Sequence, residues 1–541
     1  MDFYLSDEMS SPPATPPSTV DTIISTLLND GSVTTTAATS RPMQKQRSSY
    51  IEVGPSSIDK TRLDYIGKVK SSFQQFTLQQ QLFFLSEILG SCDNQLLQYV
   101  YTFITPKLKI DFLKELPIEL SLHVLSFIDD PRTLARASRV DRFWNRLLKD
   151  EAAWKALCLK HQYHSHFQYY KQSNQVVSYR DYFRRKYNID TAWNQGGRVT
   201  PCENQIGDCL ATSVQMDDTF IAVGCDNNRI EVFDATTGKY IRSLLDHEGG
   251  VWALQFIKNK NNEHILVTGG CDRMARVWNL GTGERRHVLR GHSSTIRCLK
   301  IKDECTAVTG SRDATLRIWD IENGVQRHVC IGHQSSVRCL DICGNQVASG
   351  SYDTTARLWD MDTGECLQEF IGHHSQIYSI AFDGSKVVTG SLDSNIRVWS
   401  AQTGHCLRTL QGHTSLVGHL QLSPTNILVS GGSDGCLRIW DLNNYSCRHR
   451  ISAHDNSVTC LQFDERRILS GGSDGQVKLW DIETGALIRS FTQTARTVWK
   501  VHLIETKAVV ILQRDPSDNT QRNIPQTVIE LHDFDWNNNN N

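Results

Sequence analysis

A repeating unit governs what this chain can become. Trp278, Trp319, Trp359, Trp399, Trp440 and Trp480 recur at intervals of 41, 40, 40, 41 and 40 residues, and Phe233-Asp234 holds the same place one unit earlier. His247, His292, His333, His373, His413 and His454 recur in step, as do Asp226, Asp272, Asp313, Asp353, Asp393, Asp434 and Asp474. Each unit is too small to bury its own apolar face, so units at a fixed period must stack on one another. Between the marks lie short alternating runs and glycine-containing turns, which read as strands. Past Asp481 a degenerate unit, Phe491 to Asp535, keeps Thr497-Val498-Trp499 and a closing VIELHDFD strand. The count is therefore eight, and residues 198 to 210 are expected to supply the outer strand that closes a ring.

The part before the repeats is different in kind. Residues 1–69 are rich in Ser, Thr and Pro and are expected to be a disordered tail; within it Thr15-Pro16 is a possible proline-directed phosphorylation site. Order is expected from about Lys70. Leu78, Leu82, Leu85 and Leu89 form one stripe of a helix that Gly90 ends, and Leu96, Leu97, Val100 and Ile104 form a second that Pro106 closes. Two short helices cannot bury that surface alone, so 70–108 must pack on the segment C-terminal to it or on a copy of itself. Over 109–158, Pro117 suits a first helical turn, and Leu120, Val124 and Phe127 or Ile128 make an apolar face. Asp129 or Asp130 can cap the next helix with Pro131 just inside it, and Val140, Phe143, Trp144, Leu147 and Trp154 continue the pattern. Residues 159–196 end in a charged helix, Tyr179 to Asn194, stopped at Gly196-Gly197. About 15 helical residues span roughly 22 Å, which suits a stiff spacer. The expected class is mixed: all-α first, then an all-β propeller over 197–536 and an Asn-rich tail at 537–541.

Composition excludes some functions. The formal net charge of −2 and pI of about 6.8 argue against coating a nucleic acid. No apolar run approaches the length of a membrane span, and the start MDFYLSDEMSSPP lacks the features of a secretory signal. Sixteen cysteines without paired metal spacing read as reduced thiols. These features predict an intracellular protein, in nucleus or cytoplasm, with no metal or other cofactor.

A repeat supplies its own control, because scaffold residues recur in every unit and functional ones need not. His292, Asp313, Thr309 and Trp319 could pass for a catalytic set, yet the same quartet returns as His333, Asp353, Ser349 and Trp359 and in three further units. A reaction needs one site, not five, so these read as hydrogen-bond chains that lock the blades. Arg276, Arg317, Arg357, Arg397 and Arg438, with Lys478, all precede the Trp by two residues and are scaffold by the same test. Two other slots vary. The fifth residue after the histidine slot is Trp252, Arg297, Arg338, Tyr378, Gly418, Thr459 and Trp499. The residue before the Asp is Cys271, Arg312, Tyr352, Leu392, Ser433 and Ser473. Both slots fall at one rim, so Arg297, Arg312 and Arg338 are expected to converge, with Arg273 close by and Trp252, Tyr352, Tyr378 and Trp499 around them. Two guanidinium groups about 8 Å apart repel by roughly 0.5 kcal/mol in water and about 2 at an effective dielectric of 20. With no Asp or Glu in either slot, a phosphoryl group fits, held by paired charged hydrogen bonds.

Leu116-Pro117, Val124-Leu125, Leu134, Val140, Trp144 and Trp154 resemble the F-box, which implies docking to a Skp-type adaptor and through it to a cullin ubiquitin ligase. With Leu120, those from Leu116 to Trp144 are the expected adaptor contacts. The Gly-His and Trp-Asp marks resemble the WD-repeat β-propeller. Together the parts resemble the F-box/WD-repeat substrate receptors, above all the cell-division-control type, to which IDTAW at Ile189 to Trp193 and SRDATLRIWD at Ser311 to Asp320 are similar. That resemblance implies a receptor without catalysis of its own. In it the matching arginines bind phosphothreonine or phosphoserine followed by proline, Tyr352 and Trp252 are pocket walls, Arg514 is a further anion contact, and the helices before the F-box form a homodimer. Cys271 and Gln376 depart from the family's pattern. The resemblance also makes Thr15-Pro16 a candidate self-degron. The alternatives are a WD-repeat scaffold outside any ligase and an RNA-processing propeller.

Overall fold

Thr77 opens the middle of three N-terminal helices: its backbone N–H donates to Gln80 Oε1 at 3.0 Å, a reciprocal cap three residues into Leu78–Gly90. The computed structural model describes residues 60–108, 111–163, 178–202, 206–492, 495–515 and 525–535. Thr15 and the tail at 537–541 lie outside them. The chain divides into two compact units, Met1–Ile110 and Asp111–Asn541.

The first unit contains helices Lys60–Gln75, Leu78–Gly90 and Asn94–Leu108. Helix therefore begins ten residues before the expected start near Lys70, because Leu63, Ile66, Val69 and Phe73 make a helical stripe among charged residues. The third helix runs through Pro106, which lies in its last turn. There a proline forfeits one intrahelical bond without ending the element. Phe73, Phe76 and Phe84 form a small aromatic cluster with ring centroids 5.6–6.3 Å apart. Beyond it the apolar side chains lie open, and no residue of Leu78–Gly90 is buried.

The second unit starts with five short helices, Phe112–Glu115, Ile118–Ser126, Pro131–Ala137, Arg142–Leu147 and Glu151–Lys160. Asp130 caps the third by accepting from the Arg132 and Thr133 N–H groups, with Pro131 in its first turn. Leu113, Leu125, Leu134, Leu147, Leu148, Trp154 and Leu157 form the core, and Trp154 Nε1 donates to the Leu148 carbonyl at 2.8 Å. Leu125 and Leu134, expected among the adaptor contacts, are 2% and 1% exposed. They hold this core and offer no surface.

The helix Tyr179–Gln195, expected to be a stiff spacer, packs into both modules. Tyr182 and Phe183 enter the core of the helical module, while Ile189 and Trp193 enter the core of the propeller. Trp193 is fully buried, stacks on Phe534 with centroids 3.7 Å apart, and donates to the Glu505 carbonyl. One helix thus fastens both modules.

Eight four-stranded antiparallel sheets complete the chain. The first is Ala211–Met216, Phe220–Cys225, Arg229–Asp234 and Tyr240–Leu245. The eighth combines Thr497–Ile504, Lys507–Arg514 and Gln526–Asp533 with Arg198–Pro201, which pairs antiparallel along Gln526–Asp533. The chain's first strand thus closes the ring by completing its last blade. First strands of successive blades lie side by side, Thr497–Ile504 against Ala211–Met216 included, so they line the central channel. Among the described residues no helix is long and apolar enough to cross a membrane, and no cluster of His, Cys, Asp and Glu could hold a metal ion.

Candidate functional site: a cationic channel rim and an apolar helical face

The quartets pin each blade. His292 Nδ1 lies 2.7 Å from Asp313 and its Nε2 lies 2.8 Å from Thr309 Oγ1, which also accepts from Trp319 Nε1. The same arrangement joins His333, Asp353, Ser349 and Trp359, and His247, Asp272, Thr268 and Trp278 make one more set. Burial pulls the Asp313 carboxyl up, but bonds from His292 and Thr315 overcome it and hold it well below the usual range. The residues two before each Trp are likewise occupied: Arg276 by Asp246 and Asp272, Arg438 by the Gly412 carbonyl, Lys478 by the Ala453 carbonyl.

The variable slots have a structural cause. In the third blade Ile296 pairs with Ser311 and Cys298 with Gly310, so Arg297 is an extra residue in the ladder, a β-bulge. Arg338, Tyr378, Gly418, Thr459, Trp499, Trp252 and Thr212 occupy the same bulge in their blades. A bulge bends its strand and re-aims one side chain, which turns Arg297 and Arg338 out of the regular ladder toward the rim. The second slot is held beside it. The Arg312 N–H donates to the Thr295 carbonyl at 2.9 Å, and the Tyr352 N–H to the Ser336 carbonyl at 3.0 Å.

At the rim, Arg297 lies 4.4 Å from the centroid of the Trp252 ring and Arg338 5.8 Å from that of Tyr378. Tyr378 in turn packs on Tyr352 with centroids 5.2 Å apart. Burial lowers the pKa of Arg297, and the charges of Arg338 and Arg312 push it the same way. The three guanidiniums therefore share one electrostatic environment. Among the described residues none of them has a carboxylate partner, and Arg338 Nε is buried without an acceptor.

The other expected members have surroundings of their own. Arg514 is already paired with Glu530 at 2.8 Å, and this neutralisation separates it from the open cluster. Trp499 packs on the core between the eighth and first blades. Arg273, at φ 68° in the turn after its Asp, lines a shallow groove with Glu248, Cys271 and Arg290. Two channel residues escape the sequence reading: His419 and Lys500, each directly after a bulge. A signal exists, because the same slot holds Ser213, Ala253, Cys298, Cys339, Ser379 and Cys460 in the other blades.

On the helical module Leu120, Val124 and Phe127 are 50%, 47% and 67% exposed, and Pro117, Ile118 and Val140 lie open as well. The buried side of Ile118–Ser126 is instead Ser121 and Leu125, so the apolar stripe read from the sequence faces outward. Leu116 is half-buried. Trp144 is half-buried and donates through Nε1 to Asp111 at 2.9 Å, which fixes its ring at the module's edge. An unpaired apolar face of this size on a small module marks an interaction surface.

Comparison with known proteins matches both modules. A model described as F-box-like matches residues 113–160, and one described as WD domain, G-beta repeat, matches six segments between 238 and 481. The WD repeat-containing protein pop1 of Schizosaccharomyces pombe is 33% identical over 248 residues, 44% of this chain and 31% of that protein. Cell division control protein 4 of Saccharomyces cerevisiae is 29% identical over 40% of this chain and 29% of its own length. F-box/WD repeat-containing protein 7 of Drosophila melanogaster is 35% identical over 34% of this chain and 15% of its own. The matched region thus spans less than a third of each of these relatives. Among solved structures, the computationally designed protein Ika8 superimposes with a TM-score of 0.54 at 32% identity, covering 61% of this chain and 99% of the designed one.

Proposed function

The chain belongs to the F-box/WD-repeat proteins, and from that premise we propose that it is the substrate-recognition subunit of an SCF-type ubiquitin ligase, reading phosphorylated Ser/Thr-Pro segments at the propeller rim. The observation that carries this reading is the convergence of Arg297, Arg312 and Arg338 without a carboxylate among them. Three guanidinium groups held together in a half-buried rim gain from a dianion, and each charged hydrogen bond contributes on the order of 1.5–3 kcal/mol. Trp252, Tyr352 and Tyr378 give the flanking prolyl and apolar residues a surface to rest on.

The outward face of Leu116, Pro117, Leu120, Val124 and Val140, with Trp144 at its edge, would hold a Skp-type adaptor and through it the cullin core. The role is one of positioning: target on the propeller, ligase on the helical module, and the fastened helix between them keeping a fixed separation. Rate enhancement then comes from proximity, with no chemistry by this chain. The name of one further relative, probable E3 ubiquitin ligase complex SCF subunit sconB of Emericella nidulans, fits that role. The N-terminal helices, with their open apolar faces, would pair with those of a second copy.

The test is titration of a labelled Thr-Pro phosphopeptide. Arg312→Ala and Arg338→Ala are each expected to cost about 2–5 kcal/mol of binding, and the unphosphorylated peptide is expected not to bind. Unchanged affinity in both variants would refute the rim site. Adaptor pull-down with Leu120→Asp and Val124→Asp tests the other surface, and retention of adaptor by both would leave a scaffold outside any ligase as the better account.

A further inference from the structure

We propose that Arg132, Arg136, Arg139, Arg142 and Arg146 form a steering border beside the apolar face of the helical module, one that draws in an adaptor whose own apolar contact is edged by carboxylates; the identity of that partner rests on the adaptor role proposed above. Residues 131–149 carry six basic side chains, these five and Lys149, against a single acidic one, Asp141. That is a net charge of +5 in a chain whose total is −2. All six are exposed, and none forms an ion pair or donates a side-chain hydrogen bond among the described residues. The carboxylates nearest in sequence are engaged elsewhere. Asp129 pairs with Lys160 at 2.6 Å, and Asp141 pairs with Lys114. Asp130 accepts from the Arg132 and Thr133 N–H groups, and Asp150 from the Ala152 N–H at 2.8 Å.

Nothing in the fold of the module calls for this charge. Arg132 and Arg136 lie four residues apart on the helix Pro131–Ala137, and Arg142 and Arg146 four apart on Arg142–Leu147. Like charges at that spacing weaken a helix. The arginines that hold the propeller together are bonded, Arg276 to Asp246 and Asp272 and Arg438 to the Gly412 carbonyl; those of the helical module are of another kind. Their place points to a partner. The helix Ile118–Ser126, which presents Leu120 and Val124, packs against Arg142–Leu147. Val140, also open, stands between Arg139 and Arg142. The positive strip therefore adjoins the apolar face, and an apolar centre with a charged border is the anatomy of a protein interface. A single exposed ion pair contributes little in water. The paired arginines, however, lie about 6 Å apart along each helix axis, inside the Debye length of about 8 Å at physiological salt, so their fields add. A summed field acts before contact, on the rate of association more than on the lifetime of the complex.

The experiment follows association and dissociation of a Skp-type adaptor with the full chain at low and at high salt. Wild type is expected to associate fastest at low salt. Arg132→Glu with Arg136→Glu, and Arg142→Glu with Arg146→Glu, are each expected to slow association at low salt about tenfold and to leave dissociation within about twofold. High salt should bring wild type and both variants to one rate. Arg132→Lys with Arg136→Lys should keep the wild-type rate, because a field depends on charge and not on the shape of the group that carries it. Association insensitive to salt and to both charge reversals overturns the border and leaves the adaptor role standing. So does a change confined to dissociation, which would make the arginines contacts of the bound state only. A wild type that binds no adaptor removes the adaptor role and the border together. Recruitment of the full chain to phosphatidylserine vesicles, lost on charge reversal while adaptor kinetics stay unchanged, would assign the strip to a lipid surface and overturn the proposal as well.

Discussion

The Asp190 carboxylate, on the helix Tyr179–Gln195, lies 2.6 Å from the Arg466 guanidinium, on a turn of the seventh blade. Arg467 reaches the same carboxylate, and Tyr163 donates its hydroxyl to it from the end of the helical module. One side chain thus ties three segments, and the Arg466 guanidinium also lies over the Tyr163 ring at 4.6 Å. Asp190→Asn leaves half-buried Arg466 without its carboxylate and buried Arg467 with only the longer contact to Asp464 at 3.6 Å, at a cost of about 2–4 kcal/mol. Urea unfolding is expected to separate into two transitions, helical module and propeller, where the wild type shows one. A single transition at an unchanged midpoint would show that apolar packing around Trp193 carries the junction alone.

The quartets lock blades, and one substitution isolates that role. Thr309→Val removes the hydroxyl that accepts from Trp319 and contacts His292, and it leaves two buried polar groups unpaired. At about 1–3 kcal/mol each, the loss is expected to be roughly 2–6 kcal/mol in denaturant unfolding. Ser349→Ala should cost a similar amount one blade later. Phosphopeptide affinity of the folded protein is expected to stay within about twofold for both, as befits residues that hold a blade rather than a ligand.

Periodicity makes the propeller legible, and the comparison of like positions makes Arg297, Arg312 and Arg338 legible with it. Trp278 to Trp480 set the blade count, and a slot that changes in only some blades cannot be scaffold. What escapes is set by geometry that has no one-dimensional signature. The β-bulge that aims Arg297 at the channel shows only in the pairing of Ile296 and Cys298 with their partner strand. Arg514 looks like another open cation until the strand pairing brings Glu530 beside it. On the helical module, Leu120 and Leu125 are equally apolar, and only packing decides that Leu125 is core and Leu120 surface. Lys500 is hidden for a different reason. It lies in the degenerate blade beside the conspicuous Trp499, and its slot gains meaning only once the bulge shows that the small residues of six other blades are its counterparts.

Acid should weaken the propeller in two stages. Burial holds His502 at a pKa of about 4 and lowers those of His373, His454 and His532 below the ordinary histidine value. Between the folded values and about 6.5 the unfolded chain binds more protons than the folded one, so stability is full above about pH 6.5 and falls as pH drops through that range. The second loss begins below about pH 4, where carboxylates such as Asp313 and Asp353, held low despite burial by their histidine partners, gain protons only in the unfolded chain. For His502 alone the cost at pH 5 is roughly 2 kcal/mol. His502 stands where Gln215, Gln421 and Gln462 reach across and clamp the backbone of the next blade, and its Nδ1 is buried without a partner. His502→Gln is therefore expected to raise the unfolding temperature at pH 7.5 and to flatten its decline to pH 5. An unchanged pH profile would show that the buried imidazole is not what acid reaches first.

The N-terminal helices expose more apolar surface than an isolated segment sustains. Leu82 and Phe83 are 59% and 68% exposed, and Leu78, Leu85, Ile88, Leu96, Leu97 and Tyr101 also lie open. Burying such side chains contributes about 1.5–3 kcal/mol each, so four or five of them shared between two copies outweigh the several kcal/mol that association costs. The contact would be isologous, each stripe facing its own copy. Leu82→Glu with Leu85→Glu places charge in the middle of that stripe, opposed across the axis by the same charge. Sedimentation equilibrium is expected to give a dimer for the wild type and a monomer for the double variant. The variant should keep its phosphopeptide affinity per chain, because Arg297, Arg312 and Arg338 all come from one propeller. A monomeric wild type at micromolar concentration would mean that these helices await a different partner.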